Sequence, residues 1–106
     1  MIYDGWREEY DNLLQCLARA LSPTLHHEEL TFELISYRFT AKAKEIIHAR
    51  FPHCRLDLDA SRRQIKWGRY GHKKFIYPAE ELQRLWCHLR ARIAHYFPAA
   101  VIEYET

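Results

Sequence analysis

Between Arg55 and Tyr77 the chain reads RLDLDASRRQIKWGRYGHKKFIY, and this stretch limits the fold more than any other. Leu56 and Leu58 alternate with Arg55, Asp57 and Asp59, and Ile65 and Trp67 alternate with Gln64, Lys66 and Gly68. Alternation with period two marks half-buried strands. The polar run Ala60-Ser61-Arg62-Arg63 has the length of a four-residue hairpin connection. Such a loop sets Asp57 opposite Lys66 and Asp59 opposite Gln64 on one face. It sets Leu56 opposite Trp67 and Leu58 opposite Ile65 on the other, so both faces agree on one register. Gly71-His72 then predicts a second turn, and Lys73 to Tyr77 a third strand.

The same stretch gathers charge. Six Lys or Arg and no acid lie between Asp59 and Glu80. The whole chain carries only +2 over 106 residues, which is no general signature of a nucleic-acid binder. The distribution is uneven: residues 1–53 hold six basic and eight acidic side chains, residues 54–106 ten and six. A local surplus of this kind suits an anionic partner. Arg62, Arg63, Lys66, Arg69, Lys73 and Lys74 are the candidate phosphate-binding cations, and Tyr70 the candidate stacking ring. Trp67 has the parity of the core and is assigned there.

The remaining elements follow from periodicity and punctuation. Trp6, Tyr10, Leu13, Leu14, Leu17 and Leu21 form one stripe of a first helix over about Gly5–Leu21, with Asp4 as its N-cap. Ser22-Pro23 stops it, and His26-His27-Glu28-Glu29 links onward. Leu30–Phe39 reads as one long strand with two partly apolar faces. Thr40 caps a second helix, Ala41 to about Phe51, buried through Ala43, Ile46, Ile47 and Phe51. Pro78 opens the last helix, whose stripe is Leu82, Leu85, Trp86, Leu89, Ile93, Tyr96 and Phe97. Pro98 ends it, and Ala99–Tyr104 is a final strand. The order α-β-α-β-β-β-α-β predicts a single α+β domain over residues 1–106. Three helices pack on a mixed sheet of about five strands, in two layers, or three if the first helix covers the far face. The expected core is Trp6, Leu13, Leu17, Phe32, Ile47, Leu56, Trp67, Leu82, Trp86, Leu89 and Ile93.

Two further clusters are candidates. Arg38, Thr40, Lys42 and Lys44 surround the start of the second helix, where free N–H groups and lysines together suit an anion. On the last helix Cys87, Ala91 and Ala94 form a small-residue stripe flanked by Arg84, His88 and His95. That stripe suits a close helix approach, from the first helix, from a homodimer partner or from another protein.

Residues 41–104 resemble the PD-(D/E)xK nuclease superfamily in the order helix, three strands, helix, strand. Asp57 and Gln64-Ile65-Lys66 carry the resemblance, which implies a divalent metal held by an acid and an acid-x-lysine on adjacent strands. Gln64 stands where the second acid belongs. The same element order occurs in double-stranded-RNA-binding domains, whose last helix opens on a basic motif. Here it opens on Pro78-Ala79-Glu80-Glu81.

No nucleophile motif and no metal-ligand spacing is present among the seven His and three Cys, so no catalytic residue, metal or cofactor is assigned. The odd, widely spaced cysteines and the lack of a leader-like start point to a reducing, cytoplasmic setting without a membrane. The leading expectation is a non-enzymatic binding module that sets a basic aromatic hairpin against nucleic acid. A protein-interaction or inhibitor-type protein binding an acidic surface is the second reading, and a degenerate nuclease the third.

Overall fold

The computed structural model describes residues 1–21, 30–68 and 71–106. The expected link at 26–29 and the candidates Arg69 and Tyr70 lie outside the described residues. In chain order the elements are α1 (Trp6–Ala20), β1 (Thr31–Leu34), β2 (Phe39–Thr40), α2 (Ala41–Arg50), β3 (Gln64–Trp67), β4 (Lys73–Ile76), α3 (Ala79–Tyr96) and β5 (Val101–Glu105). This is the expected α+β class. The strands divide into a parallel pair, β1-β5, and an antiparallel trio in the order β2-β4-β3. The chain forms two compact units, one of residues 1–35 with 82–106 and one of residues 36–81.

In the first unit α3 supplies the core. Leu85, Trp86, Leu89 and Ile93 recur at helical spacing, and all four are buried with Trp6, Leu14 and Phe97. Phe32 of β1 and Ile102 of β5 pack against that cluster, and the Phe32 and Phe97 rings lie 5.5 Å apart. Arg92 and the Tyr96 hydroxyl both donate to Asp11, tying α3 to α1. Burial raises the Asp11 carboxyl, but the bonds from Arg92 and Tyr96 outweigh it and hold its pKa below the ordinary range. α1 begins on Gly5, which is left-handed with φ 82° and offers no capping side chain, so Asp4 does not cap as expected. Leu13 and Leu17 are exposed rather than buried. They border an apolar groove of about 330 Å³ shared with Phe32, Leu34 and Trp86.

In the second unit the expected hairpin is corrected. Residues 55–59 form no strand, and Asp57 does not face Lys66. The hairpin is instead β3-β4, with Gln64 opposite Ile76, Ile65 opposite Phe75, Lys66 opposite Lys74 and Trp67 opposite Lys73. The Gly68 amide closes its turn by donating to the His72 carbonyl at 2.7 Å, and Gly71 takes a left-handed φ of 71° that favours glycine. The physical reason lies in Asp57 and Asp59. Asp57 Oδ1 accepts from the Asp59 amide at 3.1 Å, and Asp59 Oδ1 from the Ser61 amide at 2.9 Å. Such local bonds bend the backbone and compete with a ladder. Leu58 is buried, whereas Leu56 and Trp67 are exposed, as are Ile46 within α2 and Phe51 just beyond it. The long strand expected over Leu30–Phe39 is broken at 35–38, so that β1 joins β5 while Phe39 and Thr40 join β4.

Candidate functional site

The antiparallel trio has two chemically distinct faces, because registered partners share a face. One face carries Thr40, Lys74 and Lys66 in a row across the three strands. The other carries Phe39, Phe75 and Ile65, with Trp67 and Lys73 toward the turn. The Phe39 and Phe75 rings lie 5.3 Å apart, tilted to one another, and the Lys73 ammonium sits 5.5 Å from the Phe75 centroid. Trp67 is 67% exposed, which removes it from the core and makes it an indole offered to solvent on a basic hairpin. Its parity misled, because parity says which residues share a face and not whether that face is covered.

Lys66 and Lys74 oppose each other directly. Like charges at such a pair are unfavourable. Beside them opens a cavity of about 780 Å³ lined by Thr40, Lys42, Gly68, His72, Lys73 and Lys74. The start of α2 forms part of its wall. Thr40 is the N-cap there, its hydroxyl accepting from the Ala43 amide at 3.0 Å. No acid stands in the first turn of α2. Two clusters that the sequence treated separately, the hairpin and the α2 start, therefore meet in one basic cavity.

The other candidates fall as follows. Arg62 is exposed. Arg63 is not a solvated turn cation: its side chain is 2% exposed, and Nη2 lies 3.4 Å from Asp57 Oδ2. Arg38 donates to Ser36 Oγ at 3.4 Å, and neither it nor Lys44 lines the cavity. The Asp59 carboxyl is held below its usual range, chiefly by the Ser61 amide, with Lys44 and Arg62 adding attraction. On α3 Arg84, Cys87, Ala91, Ala94 and His95 are exposed. His88 instead turns to α1, its ring edge-on to Trp6 at 5.2 Å and Nε2 3.2 Å from the Arg7 carbonyl. The Asp57 and Lys66 arrangement of a PD-(D/E)xK site is not formed, since Asp57 lies on no strand. Among the described residues no group of three or more His, Cys, Asp or Glu could hold a metal ion. Among them, too, no helix is long and apolar enough to cross a membrane.

Fold and site together define an α+β scaffold that presents amines and an imidazole around one cavity, with an open indole on the same hairpin. The family profile described as spore photoproduct lyase matches residues 1–106, and the chain belongs to that family. It is 46% identical to the spore photoproduct lyase of Geobacillus sp. (strain Y412MC61) and 44% identical to that of Bacillus subtilis (strain 168). Those alignments take in 98% and 99% of this chain but 30% of either relative. Among solved structures, a cysteine-to-alanine variant of spore photoproduct lyase with the dinucleoside spore photoproduct matches with a TM-score of 0.91 at 45% identity. It covers 98% of this chain and 30% of that one. A double variant with bound AdoMet and the dinucleoside spore photoproduct also matches at 0.91, with 45% identity over 99% and 31% of the two chains.

This membership overturns the reading as a non-enzymatic module or inhibitor-type protein, since the family is named for a lyase. The signal was absent from the residues themselves: a stretch equal to 30% of its relatives contains no nucleophile or ligand motif of its own. Lys42, Lys73 and Lys74 give the cavity a cationic lining that attracts anionic oxygens.

Proposed function

We propose that this chain provides a DNA-gripping surface of an enzyme of the spore photoproduct lyase family, acting on a dinucleotide lesion. The observation that carries this reading is the Lys66–Lys74 register pair, whose Lys74 lines a cavity together with Lys42, His72 and Lys73. Two lysines on registered positions of adjacent strands gain from an anion near them, and a phosphodiester backbone supplies such anions at regular spacing. Trp67 stands on the same hairpin with its ring open, suited to stack on an unpaired or displaced base. Arg69 and Tyr70, between the two strands in sequence, extend the same chemistry. The dinucleoside held by a neighbour of TM-score 0.91 supports a substrate built from nucleosides.

The role read here is binding and orientation. The lysines hold phosphate oxygens, the indole holds a base face, and the stiff hairpin relates the two. The reading is tested by anisotropy of a labelled duplex over a salt series. The Lys73→Ala/Lys74→Ala double variant is expected to weaken binding and to lower the slope of log K against log salt by about 0.9 for each phosphate that no longer meets a cation. An unchanged slope and affinity overturn it.

A further inference from the structure

Arg63 is the residue the sequence placed in solvent and the fold placed inside. It immediately precedes β3, as Tyr77 immediately follows β4. Its guanidinium carbon lies 3.8 Å from the centroid of the Tyr77 ring, 5.5 Å from Tyr37 and 5.7 Å from Phe39 of β2. Three rings thus box one cation at the base of the hairpin, and the half-exposed Asp57 pairs with it from outside. The box is not fully satisfied. Arg63 Nη1 and the Tyr37 hydroxyl are both buried with no hydrogen-bond partner among the described residues. Burial is also the chief cause that lifts the Tyr37 pKa.

A buried charge with an orphaned donor carries a desolvation cost, which the ring faces and the Asp57 carboxylate offset. What a guanidinium adds is a single geometry. Its carbon lies over one ring while Nη2 reaches one carboxylate. Here the rings belong to β2, the end of β4 and the segment before β2, while the carboxylate belongs to the irregular 55–62 segment. Every chain segment that frames the hairpin base is therefore tied to one side chain. None of these groups lines the basic cavity, so Arg63 acts on that cavity only through the strands.

We infer that Arg63 is a positioning residue: boxed by Tyr37, Phe39 and Tyr77 and paired with Asp57, it fixes the base of the β3-β4 hairpin so that Lys66, Lys73, Lys74 and Trp67 are held out toward DNA. The inference rests on the DNA reading of that hairpin. It predicts a local effect, at the hairpin and not throughout the fold.

The test uses the whole chain with Arg63→Met, Arg63→Lys and Asp57→Asn. Amide hydrogen exchange, read without DNA, reports the anchor. Arg63→Met is expected to speed exchange in Gln64–Trp67 and Lys73–Ile76 by about tenfold or more and to leave Val101–Glu105 unchanged. DNA affinity is expected to fall by about tenfold or more in parallel. Arg63→Lys keeps the cation and is expected to restore part of both. Asp57→Asn changes a half-exposed partner, so it spares the fold if Arg63→Met does not, with the same local effect at smaller size. Equal acceleration in both sheets, or none in the hairpin, overturns the inference. A parent chain that binds no DNA overturns the reading beneath it, and the exchange result identifies which of the two has failed.

Discussion

Trp67 and Trp86 show how differently one residue type behaves in this chain. Trp86 is 9% exposed in the packed interior of the first unit, and Trp67 is 67% exposed. Replacing Trp86 by Ala is expected to cost about 3–5 kcal/mol in urea unfolding, the range for a large buried ring. Replacing Trp67 by Ala is expected to leave stability within about 0.5 kcal/mol. The same change should weaken single-stranded DNA binding by about 1–3 kcal/mol if the ring stacks on a base. Asp11 carries a pH prediction. Its folded pKa is depressed, so its contribution is present above the unfolded carboxylate value and is lost as pH falls through the folded one. Thermal midpoints measured from neutral to acidic pH are expected to fall less steeply in Asp11→Asn than in the parent.

At the scale of elements, the hairpin holds a conflict that gives opposite signs for two measurements. Lys66→Glu turns the like-charge pair with Lys74 into an attractive one. Stability is then expected to rise by a few tenths to about 1 kcal/mol. DNA binding is expected to fall in the same variant, because a phosphate-binding cation has become a repelling carboxylate. A chain whose lysines served stability alone would show only the first effect. The strand expected before the hairpin shows how local chemistry overrides a pattern. Residues 55–59 alternate as well as any strand in the sequence, yet two aspartates fold the backbone onto their own carboxylates. Asp57→Ala and Asp59→Ala remove those turns. Amides of that segment are expected to exchange faster, with no gain of strand signal, because β3 takes its partner from β4 and not from residues 55–59.

At the scale of the whole molecule, the chain spans about 30% of the length of the relatives it matches. Its two-stranded parallel sheet is short, and apolar side chains at Leu13, Leu17 and Ile35 stand exposed in the same unit. Charge is likewise a property of placement: a formal +2 says little, while Lys42, Lys73 and Lys74 around one cavity say more.

The sequence by itself determined the elements whose signal is long and periodic. α1, α2 and α3 lie within a residue or so of their expected bounds, and Lys73–Ile76 is the strand it promised. Leu85, Trp86, Leu89 and Ile93 are legible as core because a stripe over eighteen residues has only one face to bury. The basic character of the hairpin was legible too, as was Thr40 at the start of α2. Partner choice was not. Whether Ile65–Trp67 meets Leu56–Leu58 or Phe75–Lys73 depends on backbone bonds between segments distant in sequence, and alternation is the same in either case. Only the tertiary structure decided that the two ends of one predicted strand go to different sheets, that Trp67 faces solvent, and that Arg63 turns inward. A side chain's environment is made by neighbours that the chain brings back from far away, and no local pattern carries their identity.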